Sequence, residues 1–421
     1  MNFTSFFKSN NFFYILIFFL PFSFFIGPAF LNTTVSLICF IFLIIYFFKN
    51  INIAISKIIL ILYIIWIFYL ILRSILSENI ILSLEASLLY FRYGVFFLSV
   101  LFLFQDTTQS KKFYICLLSS LLILCFDGIY QFFIGENLIG LKSHNSRVSS
   151  FFGEEFILGH HLSKILPLII GLTIFFFSKK TYKNIIIFLI LIVASFTILF
   201  SGDRSALIFL FLTILLTLYY FYYSSKKSLY FSIFVIISIF ATVISYSENV
   251  KNRIINNSIT EIYSKDEFRF YSHQHELHFK SAFKMFIQNP TFGIGPKLFR
   301  HHCSDKKYNV KEKINKENEH FLIGCSTSPH NLTIQLLAEV GIFGTVPVLI
   351  LILALFYKFF HIIIINNQNK KFYLIFIYLS CLICLSPFTP TGNIFGSYIS
   401  TMIYLNLSIA YYLDTKKNEK Y

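Results

Sequence analysis

The cationic side chains of this 421-residue chain sort into two groups. Lys49 and Lys57, Lys111 and Lys112, Lys179, Lys180 and Lys183, Lys226 and Lys227, Lys370 and Lys371, and Lys416, Lys417 and Lys420 all fall in alternate short connections between apolar runs. The seven arginines do not. Arg73, Arg92, Arg147, Arg204, Arg253, Arg269 and Arg300 lie inside apolar runs or in the other set of connections. A planar guanidinium grips phosphate or carboxylate in bidentate fashion, so this partition points to an anionic ligand on one face. Arg204 is the most constrained of the set. The turn Ser201-Gly202-Asp203-Arg204-Ser205-Ala206 is too short to carry it far from a lipid surface. A charge held there needs a partner, which is either Asp203 or a phosphate presented by a lipid.

His330 supplies a different chemistry. In Ser328-Pro329-His330-Asn331 the spacing predicts a helix start, with Ser328 as N-cap, Pro329 at the first helical position and His330 on the first turn, where free N–H groups and the dipole favour anions. An imidazole titrating near neutrality can take a proton from a hydroxyl there, or simply cap the helix. Arg147 and the pair His160-His161 stand close to the same interface, as do Asn331 and Glu339. They can line a pocket or form a solvated rim. Arg92 lies within an apolar run and has Glu85 seven residues earlier as a candidate partner. His273, His275, His278, His301, His302 and His320 lack the paired spacing of a metal motif and read as solvated helix faces. Cys303 and Cys325 fall in one connection and are candidates for a disulfide closing residues 304–324. The other five cysteines, Cys39, Cys116, Cys125, Cys381 and Cys384, sit in apolar runs as small hydrophobes.

The elements that must position these groups are membrane helices. With 56% hydrophobic and 13% charged residues, the chain has apolar runs too long and too numerous for a soluble core. The pattern predicts an all-α polytopic membrane protein with about 12 spans, near 12–31, 33–48, 58–76, 84–104, 113–134, 156–177, 185–200, 205–223, 229–247, 331–357, 372–388 and 394–413. The alternating lysines place both termini in the cytoplasm and the long connection outside. The first apolar run is needed for this alternation and is read as a span rather than a signal peptide. The formal charge of +15 is accounted for by lysines flanking spans, so nucleic acid is not an expected partner. Three regions follow: residues 1–247 with spans one to nine, an outer loop at 248–329, and residues 330–421 with spans ten to twelve. In the loop, Phe268 to Gln288 reads as an amphipathic helix with Phe279, Phe283, Phe286 and Ile287 on its apolar face, ended by Asn289-Pro290. The glycine turn Thr291-Phe292-Gly293-Ile294-Gly295 follows.

Four of these features in order resemble the O-antigen ligase family: the turn 201–206, the stretch from Ala282 to Gly295, His330-Asn331 at the start of a span, and Glu339-x-Gly341-x-x-Gly344 within it. The likeness covers roughly residues 185–360. It implies a GT-C-like fold and a metal- and cofactor-independent, inverting transfer of a glycan from undecaprenyl diphosphate to lipid A-core oligosaccharide. The reaction would occur on the periplasmic face of the bacterial inner membrane, in lipopolysaccharide biosynthesis. Carried across, Arg204 grips the donor diphosphate and His330 activates the acceptor hydroxyl. The family's second arginine has no match where His275-Glu276-Leu277-His278 stands, which leaves Arg269 or Arg300 for that task. An O-antigen polymerase or a protein O-oligosaccharyltransferase would use the same donor. A transporter or flippase would show internal repeats and charges near the midplane, and neither is apparent.

Overall fold

In the computed structural model, residues 10–143, 147–246, 248–252, 256, 271–313, 321–369 and 371–416 are described. Arg253, Arg269 and His320 lie outside them. The fold is mostly helical. Its first ten helices are α1 (Asn11–Ile26), α2 (Pro28–Lys49), α3 (Lys57–Ile75), α4 (Ile80–Leu88), α5 (Arg92–Gln105), α6 (Thr107–Ile134), α7 (Leu158–Phe176), α8 (Lys180–Ser201), α9 (Arg204–Ser224) and α10 (Lys226–Tyr246). The long connection carries α11 (His273–Gln288), the single turn α12 (Phe299–His302) and a hairpin of β1 (Lys311–Lys313) and β2 (Phe321–Ile323), antiparallel with Glu312 opposite Leu322. Then come α13 (Leu332–Asn369), α14 (Phe372–Cys384) and α15 (Ser397–Thr415).

Among the described residues nine helices are long and apolar enough to cross a membrane, α4 and α5 counting as one across a 3-10 turn at Leu89–Phe91. The apolar helices α1 and α14 are shorter, at 16 and 13 residues. Helices satisfy their own backbone groups, which is why a chain of this composition resolves into them in lipid. α7 is enclosed on nearly every side, packing against α8, α9 and α14. Short links make successive helices antiparallel, so the bundle has two ends. Lys49, Lys111, Lys112, Lys179, Lys180, Lys226, Lys371 and Lys416 all stand at one end. Arg204, His160 and His330 stand at the other.

The second end is closed by an interlock between two distant stretches. Gly341 sits in α13 with φ 63° and ψ −168°, which breaks the helix and frees its backbone groups. The strap 290–295 takes them up. Ile294 and Gly295 donate N–H bonds to the carbonyls of Ala338 and Glu339 (2.9 and 2.8 Å), and Ile342 and Phe343 donate to Pro290 and Thr291 (2.9 and 3.3 Å). The two stretches are so close that a Cβ on Gly341 would stand 2.3 Å from the Thr291 carbonyl oxygen, and one on Gly293 2.4 Å from the Glu339 carbonyl carbon. Three residues of α3 fasten the joint. Trp66 Nε1 donates to Gly344 (2.9 Å), Tyr69 donates to Val340 (2.5 Å), and Arg73 donates to the Phe292 and Gly293 carbonyls (2.9 and 2.6 Å). Non-helical backbone near lipid is tolerated only when buried and paired in this way. Arg73 is therefore engaged with backbone rather than set out for a ligand.

Two further expectations are revised. Arg92 pairs with Asn32 (2.6 Å) and Tyr93 (3.0 Å), not with Glu85, whose carboxylate lies 3.9 Å from Lys297. The amphipathic helix buries the opposite face. Leu277, His278, Ser281, Ala282 and Met285 pack inward, while Phe283 and Ile287 remain exposed. The small residues Ser281 and Ala282 let α11 approach its neighbours closely, which a row of phenylalanines would not.

Candidate functional site

The site lies where α7, the α8–α9 turn, the start of α13 and the 385–396 connection meet. Asn331, not Ser328, is the N-cap of α13, because its Oδ1 accepts the Ile334 N–H (3.0 Å). Its amide also donates to the Pro387 carbonyl (2.8 Å), tying the helix start to the connection after α14. His330 precedes the helix in a left-handed conformation, φ 57°, which is costly for a residue with a Cβ and persists only where surroundings enforce it. Thr391 enforces it by donating its N–H to the His330 carbonyl (2.8 Å). The ring is then presented to a cluster of polar groups. Its Nε2 shares a hydrogen bond with Ser326 Oγ (3.1 Å), and the His275 and His278 rings each lie 5.4 Å away.

His278 is buried, and neither ring nitrogen has a hydrogen bond, so the solvated-face reading fails for this residue. The mismatch arises because α11 turns its small-residue face inward. His273 is tied to Glu312 instead (2.8 Å). Burial, then His275 and His160, pushes the His330 imidazolium down to about 4. Burial and His330 do the same to His278. Both rings are neutral at pH 7, the state in which an imidazole accepts a proton.

α7 contributes two groups one turn apart. His160 Nε2 lies 3.4 Å from Asp203 Oδ2 and 3.0 Å from Ser205 Oγ. Lys164, buried, reaches Thr391 Oγ1 at 3.4 Å. Asp203 occupies the N-cap position of α9, yet its side chain makes no cap hydrogen bond and turns to His160. Arg204 follows it as the first residue of α9. Arg204 and His330 thus stand at one end of the bundle, with Asp203 and His160 at that same end.

Other candidates are engaged elsewhere. Arg147 donates to the Ser201 carbonyl (3.2 Å) and lies over the Phe156 ring at 4.4 Å, bracing the turn that carries Arg204. His161 is buried, bonded to Tyr398 (2.7 Å) and flanked by Phe24 and Phe152. Glu339 is buried below the strap, where its carboxylate accepts from the Phe299 N–H (2.9 Å) and the Gln335 amide (3.0 Å). Arg300 is exposed on α12, next to the disulfide between Cys303 and Cys325, whose Cα atoms are 5.0 Å apart. Among the described residues no group of three or more His, Cys, Asp or Glu could hold a metal ion.

Sequence reading passed over Lys164 and Thr391, and it considered Asp203 as a partner of Arg204 rather than of His160. A lysine in an apolar run, four residues after a histidine, was the available signal for Lys164. Thr391 carried none.

A family model described as O-antigen ligase matches residues 186–349, from α8 into α13. No curated protein matches the chain. The match contains Arg204, the strap, the disulfide, His330 and the Gly341 break, and the helices around it are apolar enough to cross a membrane. Residues 186–349 are thus similar to the O-antigen ligase family, and with its apolar helices the chain is a multi-pass membrane protein.

Proposed function

We propose that this protein is an O-antigen ligase of the inner membrane, transferring a glycan from undecaprenyl diphosphate to lipid A-core without a metal or cofactor. In this reading the bundle has about 12 spans and a GT-C-like arrangement. The lysine-bearing end and both termini face the cytoplasm, and residues 248–329 form a periplasmic domain. The acceptor hydroxyl attacks the anomeric carbon, the bond from that carbon to the diphosphate oxygen breaks, and the electron pair leaves with the diphosphate. His330 takes the hydroxyl proton. Arg204 offsets charge building on the leaving group.

The observation that carries this reading is the placement of His330. It is neutral, half-buried, fixed in a strained backbone conformation and grouped with His160, Asp203 and Arg204 at the bundle end opposite the lysines. A base held down to about 4 is weak, but the arriving diphosphate is an anion and raises it toward neutrality. The base therefore strengthens when donor is present.

Purified protein with lipid-linked glycan and lipid A-core tests this. His330→Ala is expected to lower the transfer rate by about 10²–10⁴-fold. Arg204→Ala is expected to lower it by about 10²–10³-fold. Both should retain the wild-type melting temperature to within a few degrees. Transfer by folded His330→Ala at the wild-type rate removes the base. Transfer onto a second lipid-linked glycan, with lipid A-core left unmodified, replaces ligase by polymerase.

A further inference from the structure

Three buried polar groups near His330 are left with hydrogen-bonding capacity that nothing in the protein uses. Lys164 is 3% exposed, its ammonium has Thr391 Oγ1 at 3.4 Å as hydrogen-bond partner, and among the described residues no carboxylate is within ion-pair distance of it. An ammonium carries three donors, and burying it with one long hydrogen bond is costly unless an anion arrives. His160, four residues earlier on the same face of α7, has a buried Nδ1 without a hydrogen bond. Asp203 has a buried Oδ2 in the same condition.

These groups converge from separate elements. Thr391 bonds both Lys164 and the His330 backbone, which sets Lys164 beside the base. Asp203 contacts His160 and is followed in the chain by Arg204, the first residue of α9, which places a second cationic residue at the same end of the bundle. The local charge is positive, with Lys164, Arg204 and Arg147 against Asp203. The chemistry that fits is a multiply charged oxyanion with several acceptor oxygens.

Resting on the reading above that the donor is a polyprenyl diphosphate, we infer that Lys164 is a phosphate ligand of that donor, acting with His160 and Arg204. It holds the leaving diphosphate, and the Lys164–Thr391–His330 contact keeps that group at fixed distance from the base. Lys164 thereby takes the task that the sequence left between Arg269 and Arg300.

The test is binding of farnesyl diphosphate, a short polyprenyl diphosphate with no sugar, to the full chain in detergent, read as a ligand-induced rise in melting temperature. Wild type is expected to bind, Lys164→Met to bind about tenfold or more weakly, and Lys164→Arg to stay within about threefold of wild type. Lys297→Met, outside the site, should match wild type. If Lys164→Met fails to fold, the double variant Lys164→Gln/Asp203→Asn leaves no lone buried charge and is expected to fold and lose binding. Wild type that binds while Lys164→Met or the double variant binds equally well overturns the assignment of Lys164 and spares the donor reading. Wild type that shows no binding overturns both.

Discussion

The interlock at Gly341 and the polar cluster at His330 lie about ten residues apart along the chain and treat polar groups in opposite ways. In the interlock, the backbone groups freed by the helix break are paired by the strap, by Trp66, Tyr69 and Arg73, and by Glu339 on Phe299. In the pocket, His278, His160 and Asp203 hold buried atoms with no hydrogen bond, and Lys164 is short of acceptors. An unpaired buried group costs about 1–3 kcal/mol, so the pocket is a site of stored cost and the interlock is not. The contrast separates two kinds of motif that look alike as letters. Glu339-x-Gly341-x-x-Gly344 and Asn289-Pro290-Thr291-Phe292-Gly293-Ile294-Gly295 are two halves of one joint. His330 and Asp203 instead belong to a cluster whose buried polar atoms are not all paired.

The largest effect should come from breaking the joint. Gly341→Val places a branched side chain at positive φ with backbone atoms at 2.3–2.5 Å from its Cβ, and no side-chain rotation relieves a clash with backbone. The expected loss exceeds about 4 kcal/mol, seen as aggregation or failed purification, with activity lost along with the fold. Gly344→Ala also meets a close contact, with Val340 Cβ and Cγ2 at 2.6 Å, but adds only a methyl at a residue without positive φ and should cost less than Gly341→Val. Equal stability for Gly341→Val and wild type would show that the strap does not depend on that break.

The disulfide extends the comparison to the loop. Cys303 and Cys325, 22 residues apart, tie α12 to the strand end just before His330. Replacing both by serine should cost about 3 kcal/mol through the freed unfolded chain. The loss should appear as a lower melting temperature, while the rate at saturating donor falls less than threefold because no pocket group is touched. A rate loss without a stability loss would mean instead that the bridge positions Ser326 and His330.

How much of this was written in the sequence differs between the two regions. The helices were legible because lipid forces every backbone group into local pairing, so apolar run length reports them directly. The boundaries near 84–104 and 372–388 moved, since the 3-10 turn at Leu89–Phe91 and the end of α14 at Cys384 are set by packing. Arg204 and His330 stood out by residue type at an interface, and both lie at one end of the bundle. Glu339, Asn331, His161 and Arg147 looked alike by that criterion, yet they carry the Phe299 N–H, the α13 cap, the Tyr398 hydroxyl and the Ser201 carbonyl. Only tertiary partners tell a cap from a ligand. The apolar face of α11 was legible, but which face packs inward was not, because close helix contact near lipid favours Ser281 and Ala282 over phenylalanine. Lys164, His160 and Thr391 fall outside residues 186–349, so the pocket is completed by parts of the chain beyond the family match.

The smallest effect concerns the acid side of stability. His278 and His330 are held down to about 4 by burial and by neighbouring imidazoles, against an ordinary value near 6.5. Between those values the unfolded chain binds protons that the folded protein does not. Stability is therefore complete above pH 6.5, falls as pH drops toward 4, and levels off below. At pH 5 the loss from His278 alone is about 2 kcal/mol. His278→Phe, which removes that proton and both unsatisfied nitrogens, should flatten the fall in melting temperature between pH 6.5 and 4 and raise stability at pH 5. The backbone hydrogen bonds between the strap and α13, and those from Trp66, Tyr69 and Arg73, contribute no such slope, because they involve no group that titrates in this range. A melting temperature that falls with acid equally in wild type and His278→Phe would place the acid sensitivity elsewhere and remove the distinction between a paired joint and an unpaired pocket.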